Sequence, residues 1–206
     1  MIELLIATTN QGKLAEVQSY LRKLPLKIIS LASLGSWPTV IEDGATFEEN
    51  ALKKARAFAE YSGRITLADD SGLEVDALNG APGIYSARYA GDECDDAKNN
   101  EKLLYDLKDI PEDKRSARFV CVLALCAPGP RGMKEWTVCE SCEGRIAFAL
   151  KGGHGFGYDP LFFFAPWGKT FGEIDRETKA MVSHRGKALK RLAEILPNLV
   201  SLDVKP

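Results

Sequence analysis

The first thirteen residues constrain the fold of this chain more than any other segment. A largely apolar run over residues 2–7 ends in Thr8-Thr9-Asn10-Gln11-Gly12-Lys13, where a helical pattern starts at once. A strand that turns directly into a helix presents free backbone N–H groups and the positive end of the helix dipole, which together bind anions. Lys13 adds a full positive charge. We therefore predict an α/β fold with a phosphate site at this turn, although its spacing is not that of a Walker loop.

Length and composition narrow the class of protein. The 206 residues suffice for one large domain, and we predict a single domain over residues 1–206. The 27 Lys and Arg residues against 29 Asp and Glu residues give a net charge of −2, which argues against a nucleic-acid-binding protein. No apolar run approaches the roughly 20 residues that cross a bilayer, and the N-terminus lacks a secretory pattern. We predict a cytoplasmic protein that binds no membrane.

The cysteines indicate a reducing compartment and no metal centre. There are five of them, an odd number that does not suit a disulfide framework. Cys139 and Cys142 form a lone C-x-x-C, whereas a zinc site needs further ligands. Their segment is predicted to be a strand, not the helix start that activates redox thiols. We interpret both cysteines as structural.

Apolar patterns predict helices and strands in alternation. Leu14, Val17 and Leu21 recur at helical spacing, and residues 46–49 form a capping box for a helix that ends at Gly63. The predicted strands cover residues 27–31, 65–68, 118–127 and 161–165, with a strand pair over 134–142 and 144–149. A last helix is predicted over residues 183–196. The fold class that follows is α/β: a single domain with a central mixed β-sheet flanked by helices, in two lobes around an active-site cleft.

Polar residues gather where the predicted strands end. The clusters are residues 8–13, Glu42-Asp43-Gly44, Asp69-Asp70-Ser71-Gly72, residues 156–159, and Lys179 with Ser183-His184-Arg185. In α/β sheets, ligands bind beyond the strand ends. Lysines and helix N-termini suit phosphates, and paired carboxylates suit Mg²⁺ together with substrate phosphates. The combination predicts a site for a metal-bound phosphate compound.

The order of these motifs resembles the inosine triphosphate pyrophosphatase family, the XTP/dITP diphosphatases. The resemblance extends from about residue 2 to about residue 196. The motifs are, in chain order, Thr8-x-Asn10-x-x-Lys13, Thr46-Phe47-x-x-Asn50-Ala51-x-x-Lys54-Ala55, Ala68-Asp69-Asp70-Ser71-Gly72-Leu73, Gly80-Ala81-Pro82-Gly83-Ile84-Tyr85-Ser86-Ala87-Arg88-Tyr89, Gly155-Phe156-Gly157-Tyr158-Asp159-Pro160 and Ser183-His184-Arg185-Gly186.

The resemblance implies an activity and a set of partners. It implies hydrolysis of deaminated purine nucleoside triphosphates (ITP, dITP and XTP) to the monophosphate and pyrophosphate, which cleanses the nucleotide pool. It further implies Mg²⁺ as cofactor and a homodimer. Two other functions stay open: a pyrophosphatase for another modified nucleotide, and a nucleotide sensor that does not hydrolyse.

The resemblance also implies roles for individual residues. Asp70 matches the catalytic acidic residue and a metal ligand. Glu42 is the second ligand, with Asp43 or Glu49 as alternatives. Phe156 would stack on the purine base. The complete set of substrate-binding residues is Thr8, Thr9, Asn10, Gln11, Gly12, Lys13, Lys54, Ser71, Phe156, Gly157, Tyr158, Asp159, Lys179, His184 and Arg185.

We expect a supporting role for Asp69 and a hydrogen-bond donor to the base, and an alternative stays open for His184. Asp69 should support the site and not catalyse, because its side chain points away from that of Asp70 on an extended backbone. Selectivity should come from a donor to the C6 oxygen of the base, either Arg185 or a backbone N–H near Asp159. His184 alternatively is a core histidine bound to a backbone carbonyl.

Overall fold

The computed structural model describes residues 2–22 and 24–201. Strands and helices alternate over most of this range. The strands are β1 (Ile2–Ala7), β2 (Leu26–Ser30), β3 (Ile65–Val75), β4 (Ser116–Gly129), β5 (Gly132–Ile146), β6 (Phe162–Phe164) and β7 (Lys169–Thr170). The helices are α1 (Gln11–Leu21), α2 (Phe47–Ser62), α3 (Asp96–Asp106), α4 (Arg176–Ala180) and α5 (His184–Ser201).

All seven strands belong to one mixed sheet with the order β2-β1-β3-β4-β5-β6-β7. Strand β1 runs parallel to both neighbours, so that Leu4 lies opposite Ile28 on one side and Ile65 on the other. Strand β6 runs antiparallel to β5 and to β7. The α/β class with a mixed sheet and flanking helices is therefore confirmed.

The chain divides into two compact units. The first unit consists of the described residues up to Asp70, of Cys121–Glu140 and of the described residues from Arg185 onward. The second consists of Ser71–Val120 and Ser141–His184. Each has its own apolar core, formed in the first by residues such as Leu4, Val17, Leu67, Leu123 and Leu189, and in the second by residues such as Leu73, Leu103, Phe119, Phe162 and Phe171.

The predicted helix starts are confirmed by their caps. Asn10 precedes α1, and its side-chain oxygen accepts a hydrogen bond of 3.0 Å from the N–H of Lys13. Thr46 precedes α2 and accepts from the N–H of Glu49 in the same way, at 3.1 Å. Gly63 ends α2 with φ of 64°, a left-handed conformation that glycine adopts without strain.

Two strand predictions are wrong. Strand β3 does not end at Ala68 but continues through Asp69-Asp70-Ser71-Gly72 to Val75, because other parts of the chain neutralise the two carboxylates. The strand pair predicted over 134–142 and 144–149 is instead the single strand β5. Gly144 does not break it: a Cβ there would lie 2.6 Å from Cζ of Phe162, so the glycine makes room for that ring.

The two cysteines of the C-x-x-C segment differ in exposure. All five cysteines are free thiols, with Cys142 buried and Cys139 exposed. Within the described ranges, no three His, Cys, Asp or Glu side chains gather as a group able to hold a metal ion. None of the described helices has the length and apolarity needed to span a membrane.

The glycine-rich segment before residue 156 packs backbone against backbone. The N–H of Lys151 donates to the carbonyl of Pro160 at 3.0 Å, and the N–H of His154 donates to that of Gly172 at 2.9 Å. Gly152 has φ of +79°, and a Cβ on it would lie 1.9 Å from the carbonyl oxygen of Gly172. This glycine is therefore required by both its conformation and its closest neighbour.

We expect Gly152→Ala to destabilise the protein by about 2–5 kcal/mol, since it adds backbone strain to a clash that no side chain can relieve. Gly153→Ala is the matched control, because nothing lies within 4 Å of a Cβ at that adjacent position. Urea unfolding of the two variants measures the difference. Equal stability of both would contradict the packing described here.

Candidate active site

The turn between β1 and α1 is open to solvent at its tip. Thr9, Asn10 and Gln11 are exposed, and Thr8 accepts a hydrogen bond of 3.2 Å from the N–H of Asn10 through its hydroxyl. The N–H groups of Gln11 and Gly12 lie in the first helical turn, where no intrahelical acceptor exists. The turn thus has the local structure of an anion-binding helix N-terminus.

Asp69 ties the last residue of that turn to the sheet. Its carboxylate forms ion pairs with Nζ of Lys13 at 2.6 Å and with Nε of Arg185 at 2.7 Å. The thiol of Cys121 donates to the same carboxylate at 3.4 Å. Burial opposes ionisation of Asp69, but the charges of Arg185 and Lys13 outweigh it and hold its pKa well below the usual range.

Arg185 is held between two carboxylates. Its side chain is 2% exposed, and besides Asp69 it contacts Oε2 of Glu16 through Nη1 at 2.6 Å. Burial lowers the pKa of such a group, but Asp69 and Glu16 raise the pKa of Arg185 well above its ordinary value. The structure therefore places Arg185 in a buried ion-pair network of the first unit, and its contact with substrate stays a prediction.

A second lysine reaches the same strand from α2. Nζ of Lys54 lies 2.6 Å from Oε2 of Glu42, 2.9 Å from Oδ1 of Asp70 and 3.0 Å from the carbonyl oxygen of Asp69. Asn50, one turn earlier on the same helix face, accepts from the N–H of Gly44 at 2.8 Å and so fixes the Glu42 segment. Burial lowers the pKa of Lys54, but Asp70 and Glu42 raise it above its usual value.

The pKa values of the two carboxyl groups beside Lys54 shift in opposite directions. Burial raises the pKa of Asp70, although Lys54 and Lys13 oppose the shift. Burial also opposes ionisation of Glu42, but Lys54 outweighs it and lowers the pKa of that carboxyl. Oδ2 of Asp70 is buried and has no hydrogen-bond partner among the described residues. This oxygen is available as an acceptor for a water molecule or as a ligand for a cation.

The geometry distinguishes the three candidates for the second carboxylate. Asp43 forms an ion pair with Lys53, and both side chains are largely exposed. The carboxylate of Glu49 accepts from the N–H of Ala45 at 2.7 Å. Glu42 instead pairs with Lys54, the lysine that also pairs with Asp70. We call Lys13, Glu42, Lys54, Asp69 and Asp70 the carboxylate–lysine cluster, and all five belong to the first unit.

The donor set of this cluster fits a hard divalent cation. Mg²⁺ in proteins is bound by one or two carboxylates and completes its octahedron with water and substrate phosphates. Glu42 and Asp70 supply two carboxylates, and the unpaired Oδ2 of Asp70 offers one ligand atom without the loss of another bond. A three-residue protein cage is not needed for such a site.

The second unit contains the other predicted site residues. Oδ2 of Asp159 lies 2.6 Å from Nζ of Lys179, and both side chains are buried. The same carboxylate accepts from the N–H of Phe156 at 2.9 Å, and Nζ of Lys179 lies 5.1 Å from the centre of the Phe156 ring. The hydroxyl of Tyr158 donates to the carbonyl of Ser86 at 2.8 Å. Residues 156–159 are thus held at several points.

His184 and Ser71 complete the predicted set. His184 is 4% exposed, and its ring stacks on Phe119 with centroids 4.7 Å apart and planes at 18°. Ser71 lies in β3 directly after Asp70 and is half-buried. Sequence reasoning missed Glu16 and Cys121, which contact Arg185 and Asp69. No local signal distinguishes either from an ordinary helix or core residue.

Comparisons with known proteins agree with one another. The Ham1 family profile matches residues 4–195, a range that includes every predicted site residue. The chain is 50% identical over 198 residues to a dITP/XTP pyrophosphatase from Desulforamulus reducens, covering 96% of this chain and 97% of that protein. It is 54% identical over 189 residues to a dITP/XTP pyrophosphatase from Syntrophobacter fumaroxidans, covering 92% and 79%.

A solved structure of similar sequence has the same fold. The HAM1 protein from Coxiella burnetii superposes with a TM-score of 0.86 at 41% sequence identity, over 96% of this chain and 100% of that one. Sequence and structure therefore agree over nearly the whole length, and the chain belongs to the Ham1 family.

Proposed function

We propose that this protein hydrolyses the deaminated purine nucleoside triphosphates ITP, dITP and XTP to the monophosphate and pyrophosphate, and so removes them from the nucleotide pool. The observation that carries the proposal is the carboxylate–lysine cluster, in which Lys13 and Lys54 meet at the backbone and carboxylates of Asp69 and Asp70. Two ammonium groups beside three carboxylates suit a metal-bound triphosphate. The relatives named dITP/XTP pyrophosphatase support this substrate class.

We assign Mg²⁺ as the cofactor and Glu42 with Asp70 as its protein ligands. When bound, the cation would neutralise phosphate charge and lower the pKa of a water molecule. The support is the buried, unpaired Oδ2 of Asp70 beside a second carboxylate. Asp43 and Glu49 are engaged elsewhere, which favours Glu42.

The turn of residues 8–13, Lys54 and Asp70 perform the phosphate chemistry in this proposal. The turn of residues 8–13 binds phosphate oxygens through backbone N–H groups, and Lys13 and Lys54 neutralise charge that develops on the leaving pyrophosphate. Asp70 orients a water molecule for attack on the α-phosphorus and accepts its proton. The bond from that phosphorus to the bridging oxygen breaks, and pyrophosphate leaves with the electron pair. Asp69 holds Lys13 in place.

Residues 156–159, with Lys179 and His184, recognise the base in this proposal. Phe156 stacks on the purine, and Gly157, Tyr158 and Asp159 with Lys179 and His184 shape its surroundings. A donor to the C6 oxygen rejects adenine, whose amino group there is itself a donor. We assign this donor to a backbone N–H near Asp159, because Arg185 is engaged by Asp69 and Glu16.

We further propose a single-domain, cytoplasmic homodimer that binds no nucleic acid. Matches over 96% of this chain support the single domain. The five free thiols suit a reducing compartment, and the net charge of −2 argues against nucleic-acid binding. A sensor without turnover is disfavoured, since sensing does not require a carboxylate with an available oxygen beside two lysines.

The first test is a substrate panel. We expect pyrophosphate release from ITP, dITP and XTP in Mg²⁺, with rates on ATP and dUTP lower by about 10²-fold or more, since a donor facing a donor is strongly rejected. EDTA should abolish all release. Release mainly from another base would move the specificity and keep the reaction, and binding without release would favour the sensor.

Asp70→Asn tests the catalytic assignment. We expect kcat for ITP to fall by about 10²–10⁴-fold, because an amide does not accept the proton of the attacking water. The dissociation constant for ITP, measured by calorimetry, should change little. Asp109→Asn, an exposed aspartate, is the control and should behave as the unaltered protein. Near-normal turnover by the Asp70 variant would contradict its assigned role.

Glu42→Gln and Asp43→Asn form a matched pair that tests the metal assignment. We expect the glutamine variant to raise the Mg²⁺ concentration for half-maximal activity by at least about tenfold, as lost ligation does. Mn²⁺ titration followed by electron paramagnetic resonance gives the same comparison without turnover. The asparagine variant should bind metal normally, because Asp43 pairs with Lys53 at the surface. The opposite ranking would make Asp43 the ligand.

A further inference from the structure

Helix α3 holds the two peptide groups of Gly157 through hydrogen bonds. The N–H of Gly157 donates to Oδ2 of Asp96 at 2.7 Å. The carbonyl of Gly157 accepts from Nδ2 of Asn100 at 2.9 Å. Asp96 and Asn100 are four residues apart and therefore share one face of α3. Donor and acceptor of one residue are thus fixed by a single helix face.

Gly157 needs such contacts because packing does not fix it. Its φ is +60°, and nothing lies within 4 Å of a Cβ at this position. Glycine populates many backbone conformations at similar energy. The two hydrogen bonds from α3 are therefore what selects one conformation at this point of the chain.

The neighbours of Gly157 are anchored by other elements. The N–H of Phe156 and Nζ of Lys179 both bind Asp159, and the Tyr158 hydroxyl binds the carbonyl of Ser86. Gly157 lies in the chain between Phe156 and Tyr158, and therefore between two residues that are held by these hydrogen bonds. A rotation of its peptide would turn the Phe156 ring relative to residues 158 and 159.

Asn99 extends the same arrangement to a second segment. Its Oδ1 accepts from the N–H of Ala90 at 2.7 Å, and its Nδ2 donates to the carbonyl of Ala87 at 2.9 Å. These residues end the short helix Gly83–Arg88, which carries the Ser86 carbonyl bound by Tyr158. The start of α3 thus fixes Gly157 directly and Tyr158 through Ser86.

The hydrogen bonds of Asn100 show what its amide contributes. The residue is 5% exposed, and Nδ2 donates to the carbonyls of Asp96 and Gly157. Its Oδ1 is buried without a hydrogen-bond partner among the described residues. An unpaired buried oxygen costs stability, so an apolar side chain of similar size would serve packing better. The donor toward Gly157 is the gain that offsets this cost.

We propose that Asp96 and Asn100 are positioning residues for base selectivity, which hold Gly157 so that Phe156 and residues 158–159 meet the purine in one geometry. This inference rests on the proposed function, in which residues 156–159 contact the base. It adds two residues of α3 that the motifs did not include as site residues.

Asn100→Leu separates selectivity from stability. We expect the KM for ITP to rise about tenfold, as the loss of one buried hydrogen bond predicts, and the ratio of kcat/KM for ITP over GTP to fall. The melting temperature should fall only slightly, because leucine leaves the Gly157 carbonyl without its donor but also removes the unpaired oxygen. A loss of stability with unchanged KM and unchanged ratio would overturn the proposal.

Asp96→Ala and Asp96→Asn form the second comparison. We expect the alanine variant to raise KM about threefold, since this bond lies at the surface, and the asparagine variant to restore it, since its side-chain oxygen still accepts. Asp95→Ala is the matched control: Asp95 caps α3 through the N–H groups of Ala97 and Lys98 and does not contact Gly157. Equal KM changes in the Asp95 and Asp96 alanine variants would overturn the proposal.

Hydrogen exchange at the Gly157 amide separates this inference from the proposed function. We expect exchange to accelerate in Asp96→Ala but not in Asp96→Asn or Asp95→Ala, whether or not ITP is a substrate. An unaltered protein that releases no pyrophosphate from ITP would overturn the proposed function. Unchanged Gly157 exchange in Asp96→Ala would overturn the positioning role.

Discussion

The carboxylate of Asp69 is the constraint on which the rest of the candidate site depends. It is buried in the middle of a strand, where an unpaired charge would cost about 3–5 kcal/mol. Lys13 and Arg185 neutralise it, one from the first helix and one from the last. Since the ion pairs need both partners, the turn between β1 and α1, the strand and α5 must come together in one arrangement.

The carboxylate of Asp70, the next residue, lies in a different environment. Successive residues of a strand point to opposite faces, so Asp69 binds Lys13 and Arg185 while Asp70 faces Lys54. Their pKa values move in opposite directions from similar burial, because Asp69 has two close cations whereas burial prevails at Asp70. Two neighbouring aspartates thus differ in pKa through their environments alone.

In the second unit, residues 156–159 are fixed by other kinds of contact than Asp69 is. Residues 156–159 are anchored one by one, through Asp159, Ser86 and the start of α3. Backbone hydrogen bonds dominate there, and Lys179 with Asp159 forms the buried ion pair. This order suits the proposed role of residues 156–159, because recognition of a base by shape and hydrogen bonds requires fixed peptide groups.

Local patterns predicted the strand-turn-helix at Asn10, the cap at Thr46 and the end of α2 at Gly63, and the alternation of such patterns along the chain predicted the α/β class. The order of the motifs led to the family. The position of Glu42 beside Asp70, in preference to Asp43 or Glu49, became known only from the folded structure. Contacts between distant residues also explain why β3 continues past Ala68 and why β5 is one strand through Gly144. The same holds for the hydrogen bonds of Asp96 and Asn100 to Gly157. The physical reason is the same in each case: charge neutralisation, ring packing and peptide hydrogen bonds join residues far apart in the chain, and no local pattern records their partners.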